Sequence, residues 1–263
     1  MPEGNAATLS ERDGETLRRV ARWIRGARHV VALTGAGIST ESGIPDFRGP
    51  NGAWKEDPAA EKLATLHHYM NDPEVRAAAW KARLGHPGWS AAPNEGHRAL
   101  AELERKGKLQ TLVTQNIDGL HQMAGSSSDV VVEIHGTMRE VVCMACDDRA
   151  PMRSALDRVR AGDPDPCCRG CGGILKSATI SFGQSLVAAD VLRAQQAAET
   201  CDLFLAIGTS LVVYPVAYLP QRALAAGARV VILNAQETHL DGRAHAVVRA
   251  PLGRSLPAVA SLV

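Results

Sequence analysis

The stretch HVVALTGAGISTESGIPDFRG, residues 29–49, decides the fold. Its first part is short, β-branched and without polar alternation, the pattern of a strand buried on both faces. It runs directly into Gly35-Ala36-Gly37, where a glycine turn lets backbone N–H groups approach a pyrophosphate. The dehydrogenase spacing G-x-G-x-x-G would need glycine at position 40, and Thr40 breaks it. The region around Ala60 and Glu61 reads as helix, not as the end of a second strand bearing a ribose-binding acid. An ordinary nicotinamide dehydrogenase is therefore disfavoured. Beside the same turn, Ser42 to Gly49 sets an acid, an aromatic ring and an arginine on a loop bounded by glycine and proline.

Five further segments resemble the first strand: LQTLVTQN (109–116), VVVEIHG (130–136), DLFLAIG (202–208), RVVILN (229–234) and HAVVRA (245–250). Helical spacing precedes or separates them. Leu17, Val20, Ala21 and Ile24 share one face before a stop at Gly26, and Asn94 to Lys106, Val187 to Thr200 and Pro215 to Ala226 follow. Alternation of strand and helix predicts an α/β fold, a Rossmann-like doubly wound parallel sheet. Two stretches break the rhythm and read as insertions that together form a smaller module. Residues 50–92 carry Trp54, Trp80 and Trp89 among helix-like pieces, and residues 140–176 carry five of the six cysteines. The sheet domain is then expected to comprise 1–49, 93–139 and 177–263, with a helical insertion at 50–92 and a zinc-binding module at 140–176.

With 29 Lys and Arg against 28 Asp and Glu, the formal charge is +1, which excludes the electrostatic footprint of a dedicated nucleic-acid binder. A 45% hydrophobic content supports a large core and excludes a disordered chain. No apolar run approaches the roughly 20 residues that cross a bilayer. The first twenty residues are too charged for a secretory signal, so no membrane partner and a cytoplasmic location are expected. In that reducing setting clustered cysteines point to metal before disulfides.

The string GAGISTESGIPDFRG resembles the first NAD-binding motif of the sirtuins, the NAD-dependent protein-lysine deacylases. The resemblance continues through TQNIDGLH (114–121), His135-Gly136-Thr137, the paired cysteine region, Phe182-Gly183, Gly208-Thr209-Ser210-Leu211 and Asn234. It implies that NAD is the co-substrate and an acyl-lysine protein or peptide the partner. His135 is then the general base acting on a ribose hydroxyl, a task suited to an imidazole with an ordinary pKa of about 6.5. Asp118 would bind the nicotinamide carboxamide, with Ile117 and the Ile44-Pro45-Asp46 loop closing that pocket. Asn116 and Gln115 would lie against the nicotinamide ribose, Phe47 would shield the reacting carbon from water, and Arg48 would stand beside the phosphates. Gly35, Ala36, Gly37, Gly208, Thr209 and Ser210 would hold phosphate or adenosine ribose, Asn234 the adenosine ribose and Leu252 the adenine. Asn116 and Asp118 stand just past one strand and His135 past the next, where ligands of open α/β sheets bind.

The substrate backbone would pair as an added strand between loops containing Phe182 and Gly183 on one side and Val212 and Val213 on the other. Gln184 replaces the glutamate common there, and Ser177 a common proline, which bears on peptide preference and not on the reaction. Family members that favour acidic acyl groups resemble one another in a Tyr-x-x-Arg pair. Here Trp80 and Arg83 occupy that spacing, so uncharged acyl groups are expected.

Cys143-x-x-Cys146 and Cys168-x-x-Cys171 match a zinc ribbon, four thiolates with no open position and hence a structural site. The alternative second knuckle, Cys167 with Cys171, has a looser spacing and is the less favoured. Two rival functions remain open: protein mono-ADP-ribosylation from the same NAD cleavage, and a zinc-ribbon nucleic-acid module. The ten aromatics and absence of long basic runs disfavour the second.

Overall fold

The computed structural model describes residues 9–46 and 60–263. Phe47, Arg48 and Trp54 lie outside the described residues. Six parallel strands form one sheet: β1 (Val30–Thr34), β2 (Leu109–Thr114), β3 (Val131–Glu133), β7 (Leu203–Ile207), β8 (Arg229–Leu233) and β9 (Ala246–Val248), in the order β3-β2-β1-β7-β8-β9. The chain starts in the middle and winds outward in both directions, so the strand order reverses between β1 and β7.

Alternation along each strand explains why β1 reads as one apolar run. Val30 and Ala32 pack with Leu203, Leu205 and the helices Glu11–Gly26, Glu95–Arg105 and Leu252–Ala260. Val31 and Leu33 point the other way, to Phe204, Ala206 and the helices Ala188–Thr200 and Leu219–Ala225. Both faces are covered, so the strand needs no polar positions. The first helix buries Leu17, Val20, Ala21 and Ile24, as its spacing predicts, and the Ser10 hydroxyl caps it by accepting from the Asp13 N–H.

A separate antiparallel sheet in the order β5-β4-β6 comprises β4 (Gly136–Cys143), β5 (Arg149–Pro151) and β6 (Leu175–Thr179). The strand expected over 130–136 stops early, at Glu133, because the chain changes sheets there. Gly136 takes a left-handed φ of 71° and lies against β6, where a Cβ would stand 2.1 Å from the Ala178 carbonyl oxygen. His135 therefore sits at the junction of the two sheets. The helix Pro73–Leu84 packs its Trp80 into the same core as Val141, Cys143, Met152, Leu156 and Cys168. The two stretches that broke the strand–helix rhythm thus share one small core.

Cys143, Cys146, Cys168 and Cys171 bring their sulfurs within 4.8 Å of one another. Individual separations are 3.5 Å for Cys143–Cys171, 3.9 Å for Cys146–Cys168 and 3.4 Å for Cys146–Cys171. A tetrahedral zinc with Zn–S bonds of about 2.3 Å requires sulfurs about 3.8 Å apart, so the donor set fits structural zinc. Cys167 is outside the cluster and turns its thiol to the Asp165 carbonyl. Metal analysis is expected to give about one zinc per chain, lost with Cys168→Ser together with a fall in Tm of about 5 °C or more, and retained in Cys167→Ser.

Candidate active site

The row Glu133, Thr114, Thr34, Ile207 and Leu233 runs across the sheet in register, so five neighbouring strands end level. The next residues of each chain segment are thereby delivered to one edge: Gly35 after β1, Gln115 after β2, His135 close after β3, Gly208 after β7 and Asn234 after β8.

At the switch between β1 and β7 the two glycine loops touch backbone to backbone. A Cβ at Gly35 would lie 2.7 Å from the Gly208 carbonyl oxygen, one at Gly37 2.8 Å from the Gly208 Cα, and one at Gly208 2.6 Å from the Ile38 nitrogen. The Gly35 N–H donates to Ile207 and the Gly37 N–H to Gly208. These glycines therefore serve the close approach of two loops, and their N–H groups are already engaged, unlike the free donors expected from the turn. Ala36 lies between them at the head of a short 3-10 turn, and Thr209 and Ser210 follow Gly208 at the same edge. The geometry is a narrow backbone cradle closed to side chains.

Gln115 ties the edge together. Its N–H donates to the Thr34 carbonyl and its Nε2 to the Thr209 hydroxyl at 2.9 Å. Its own carbonyl lies 3.1 Å from His135 Nδ1. A carbonyl can only accept, so this contact puts the proton on Nδ1 and leaves Nε2 as the basic nitrogen. Burial lowers the His135 pKa from its ordinary value, partly offset by the Gln115 hydrogen bond, so the ring is neutral at pH 7.

Behind it lies a buried polar chain. The Asn94 N–H donates to His97 Nδ1, which leaves Nε2–H to face the Ser39 hydroxyl at 3.5 Å. Asn116 Nδ2 donates to the Ser39 hydroxyl and to the Gly35 carbonyl, each at 3.1 Å. The Ser39 O–H donates to Asp118 Oδ2 at 2.7 Å, and Asp118 Oδ1 accepts the Leu120 N–H. The serine thus has both lone pairs and its proton committed. Burial holds His97 down to about 4 and His121, 4.9 Å away ring to ring, down to about 3, so both stay neutral. His121 Nε2 meets the Thr34 hydroxyl, while its buried Nδ1 has no partner.

Ser39, His97, His121 and Arg139 are residues that the sequence reading did not assign. His97 was accessible to it, since a position three before Leu100 faces the core, where a histidine needs a reason. Arg139, on β4, gives no such signal. Its Nε donates to the Asp118 carbonyl at 2.9 Å, its Nη2 to Gly88 at 3.2 Å, and its guanidinium stacks 5.5 Å over Trp89. The Met138 N–H holds the Ile117 carbonyl alongside.

Among the described residues, the remaining expected ones lie on loops or helix starts near these strand ends. Ile44 donates its N–H to the Ser39 carbonyl, placing Ile44, Pro45 and Asp46 beside the polar chain. Asn234 is buried after β8, its Nδ2 donating to the Gln236 carbonyl, and Leu252 is buried at the start of the last helix. The Glu41 carboxylate accepts the Gly253 N–H at 2.8 Å, linking the loop after β1 to that helix. Phe182 has both backbone groups paired, its N–H to Ala64 and its carbonyl to the Leu66 N–H, and its ring is exposed. A peptide strand therefore cannot pair with Phe182 itself; Gly183 follows it, and in the other loop Val212 is exposed and Val213 half-buried.

A parallel sheet with a glycine cradle at its switch point, and beside it a neutral histidine with one free nitrogen, defines a nucleotide-dependent α/β enzyme. The chain belongs to the Sir2 family, whose model matches residues 35–215. It is 49% identical over 230 residues to NAD-dependent protein deacetylase 2 of Streptomyces coelicolor, covering 88% of this chain and 95% of the relative. The NAD-dependent protein deacetylase of Thermodesulfovibrio yellowstonii is 39% identical over 251 residues, covering 95% and 96%. A solved Sir2 complex with a p53 peptide and NAD+ superposes with a TM-score of 0.84 at 31% identity, covering 93% of this chain and 97% of the other. A Sir2 variant with deacetylated p53 peptide and 3'-O-acetyl ADP-ribose gives 0.85 at 33% identity, with the same coverage.

Arg139 fixes the backbone of Asp118 and leaves the cradle alone; on the expectation that Asp118 meets the nicotinamide carboxamide, Arg139→Met should weaken NAD and nicotinamide binding about tenfold while ADP-ribose binding changes little. Calorimetric titration of the three ligands checks this, and equal losses for all three would show a general collapse of the edge.

Proposed function

We propose that this chain is an NAD-dependent protein-lysine deacetylase that moves the acyl group from lysine to ADP-ribose with release of nicotinamide. NAD supplies, when bound, an electrophilic ribosyl carbon that the acyl oxygen of the substrate can attack. Family membership and relatives named as deacetylases support the reading. The single observation that carries the catalytic assignment is the His135 Nδ1–Gln115 contact, which leaves Nε2 free to take a hydroxyl proton.

In this reading the pyrophosphate lies over the cradle where the Gly35-Gly37 and Gly208 loops abut and leave no side chain in its way, with Ala36, Thr209 and Ser210 beside it. Asp118 accepts from the carboxamide, its orientation set by Ser39, Leu120 and Arg139. Asn116 orients the ribose and is itself held by Ser39. Ile44 and Ile117 flank the nicotinamide end, Asn234 and Leu252 the adenosine end. Exclusion of water from this edge favours transfer to the acyl oxygen over hydrolysis. No helix among the described residues is long and apolar enough to cross a membrane. A four-thiolate site and free cysteines fit the reducing cytoplasm, where we place the enzyme.

His135→Ala is expected to lower kcat by about 100-fold or more while NAD binding persists, since the base acts on a bond-making step. Burial lowers the His135 pKa, so the neutral base survives to more acid pH and the acid limb of kcat/KM should fall below pH 6.5. Assays with labelled NAD should place the label in acetyl-ADP-ribose; label retained on protein would instead support mono-ADP-ribosylation.

Trp80 is fully buried in the small core, and the Arg83 guanidinium stacks 5.3 Å over it and 5.6 Å over Tyr69. A buried indole offers no phenol to a terminal carboxylate, whose desolvation one cation only partly offsets. An acetylated peptide should therefore exceed its succinylated twin in kcat/KM by about tenfold or more, measured by mass spectrometry.

A further inference from the structure

Six of the eight most exposed large hydrophobic side chains among the described residues fall within one part of the chain: Phe182, Val187, Leu192, Val212, Tyr214 and Tyr218. The last five are between 48% and 55% exposed. Five of the six lie within residues 177–189 and 203–221, which contain no Asp, Glu, Lys or Arg in a chain that is 22% charged, while Leu192 stands between Asp190 and Arg193. A single exposed hydrophobe needs no explanation, but an apolar face does.

The fold gathers these residues. Leu186 and Val191 line one small cleft with Pro215 and Val216, which brings the start of the Ala188–Thr200 helix against the turn after Val213. Farther along, Glu199 and Arg222 form an ion pair at 2.6 Å between that helix and the Leu219–Ala225 helix. Leu192 lies two turns before Glu199 on the same flank, and Tyr218 one turn before Arg222. Tyr214 and Tyr218 stack with ring centroids 4.6 Å apart. The face is continuous with both loops assigned to the peptide: Phe182 leads through Val187 to Leu192, and Val212 through Tyr214 to Tyr218.

We propose that this face docks the substrate polypeptide beyond the residues that flank the acyl-lysine, and that it selects substrates carrying aliphatic or aromatic side chains there. The inference rests on the deacetylase reading. The occupant follows from continuity, because the exposed residues run on directly from the two loops that this reading gives to the peptide, and the two runs meet where Leu186 and Val191 face Pro215 and Val216. Its chemistry follows from the surface, which offers apolar area and half-exposed tyrosines, the residue type enriched where binding energy concentrates, while its neighbouring charges are engaged: Glu199 pairs with Arg222, and Arg193 donates to the Asp129 and Val131 carbonyls.

The test compares three acetyl-lysine peptides: a short one with two residues on each side, and two long ones of about fifteen residues with either Leu and Phe or Asp at the distal positions on both sides. Wild-type enzyme should favour the Leu/Phe peptide over the Asp peptide about tenfold in kcat/KM, through KM. Leu192→Glu and Tyr218→Glu should erase that preference and leave short-peptide turnover within about twofold, while Leu262→Glu, on an exposed position elsewhere, changes neither. Equal wild-type rates on the two long peptides would overturn the proposal, as would a preference that survives both variants. A change of molecular mass in light scattering for Leu192→Glu or Tyr218→Glu would also overturn it, by making the face an interface between copies. Failure of wild-type enzyme to turn over the short peptide with NAD would instead strike the deacetylase reading.

Discussion

Everything at the carboxyl edge of the large sheet depends on how closely the loop after β1 can approach the loop after β7. Gly35 and Gly37 meet Gly208 with no room for a Cβ on either side, and Gly208 takes a left-handed φ of 59° that a side chain would oppose. That contact sets the distance between the first and fourth strands to leave the sheet, and so the place where Gln115 can span from Thr34 to Thr209. His135 hangs on Gln115, and Asn116 hangs on the Gly35 carbonyl. A side chain at either glycine would spread the loops and loosen the His135 ring together with the cradle.

The polar chain behind the edge uses low dielectric in a way that surface groups could not. His97 and His121 are kept neutral by burial, so they act as fixed donors and acceptors and not as titrating groups near pH 7. Ser39 converts that fixity into an orientation for Asp118 and Asn116 at once. Arg139 adds a constraint from the opposite side, through the backbone carbonyl of Asp118, and anchors it to the small module at Gly88 and Trp89.

Much of this was legible in the sequence because strand runs, glycine turns and cysteine pairs are local patterns. The six strands, the doubly wound order and the choice of Cys168 over Cys167 follow from residues close together in the chain. Less legible was whatever depends on partners far away. The strand over 130–136 reads as continuous, but Gly136 has a better partner in β6 and pulls the chain into the second sheet. The glycine loop suggests free N–H donors, but Ile207 and Gly208 claim them across the sheet. Arg139 looks like any exposed arginine until β4 brings it against Asp118. Trp80 looks like a candidate lining residue until the cysteine module closes around it.

The shared core of the small module has a consequence for synthesis. Trp80 is packed by Val141, Met152, Leu156 and Cys168, all far later in the chain. A ribosome releases the Pro73–Leu84 helix long before any of these partners exist, and the cysteine cluster closes only once Cys171 has emerged. In that interval the helix carries a large aromatic ring with nothing to cover it, the kind of transient surface that chaperones hold and that aggregation exploits. Zinc supply would then govern yield in the cell as a rate, through how quickly this non-local core closes.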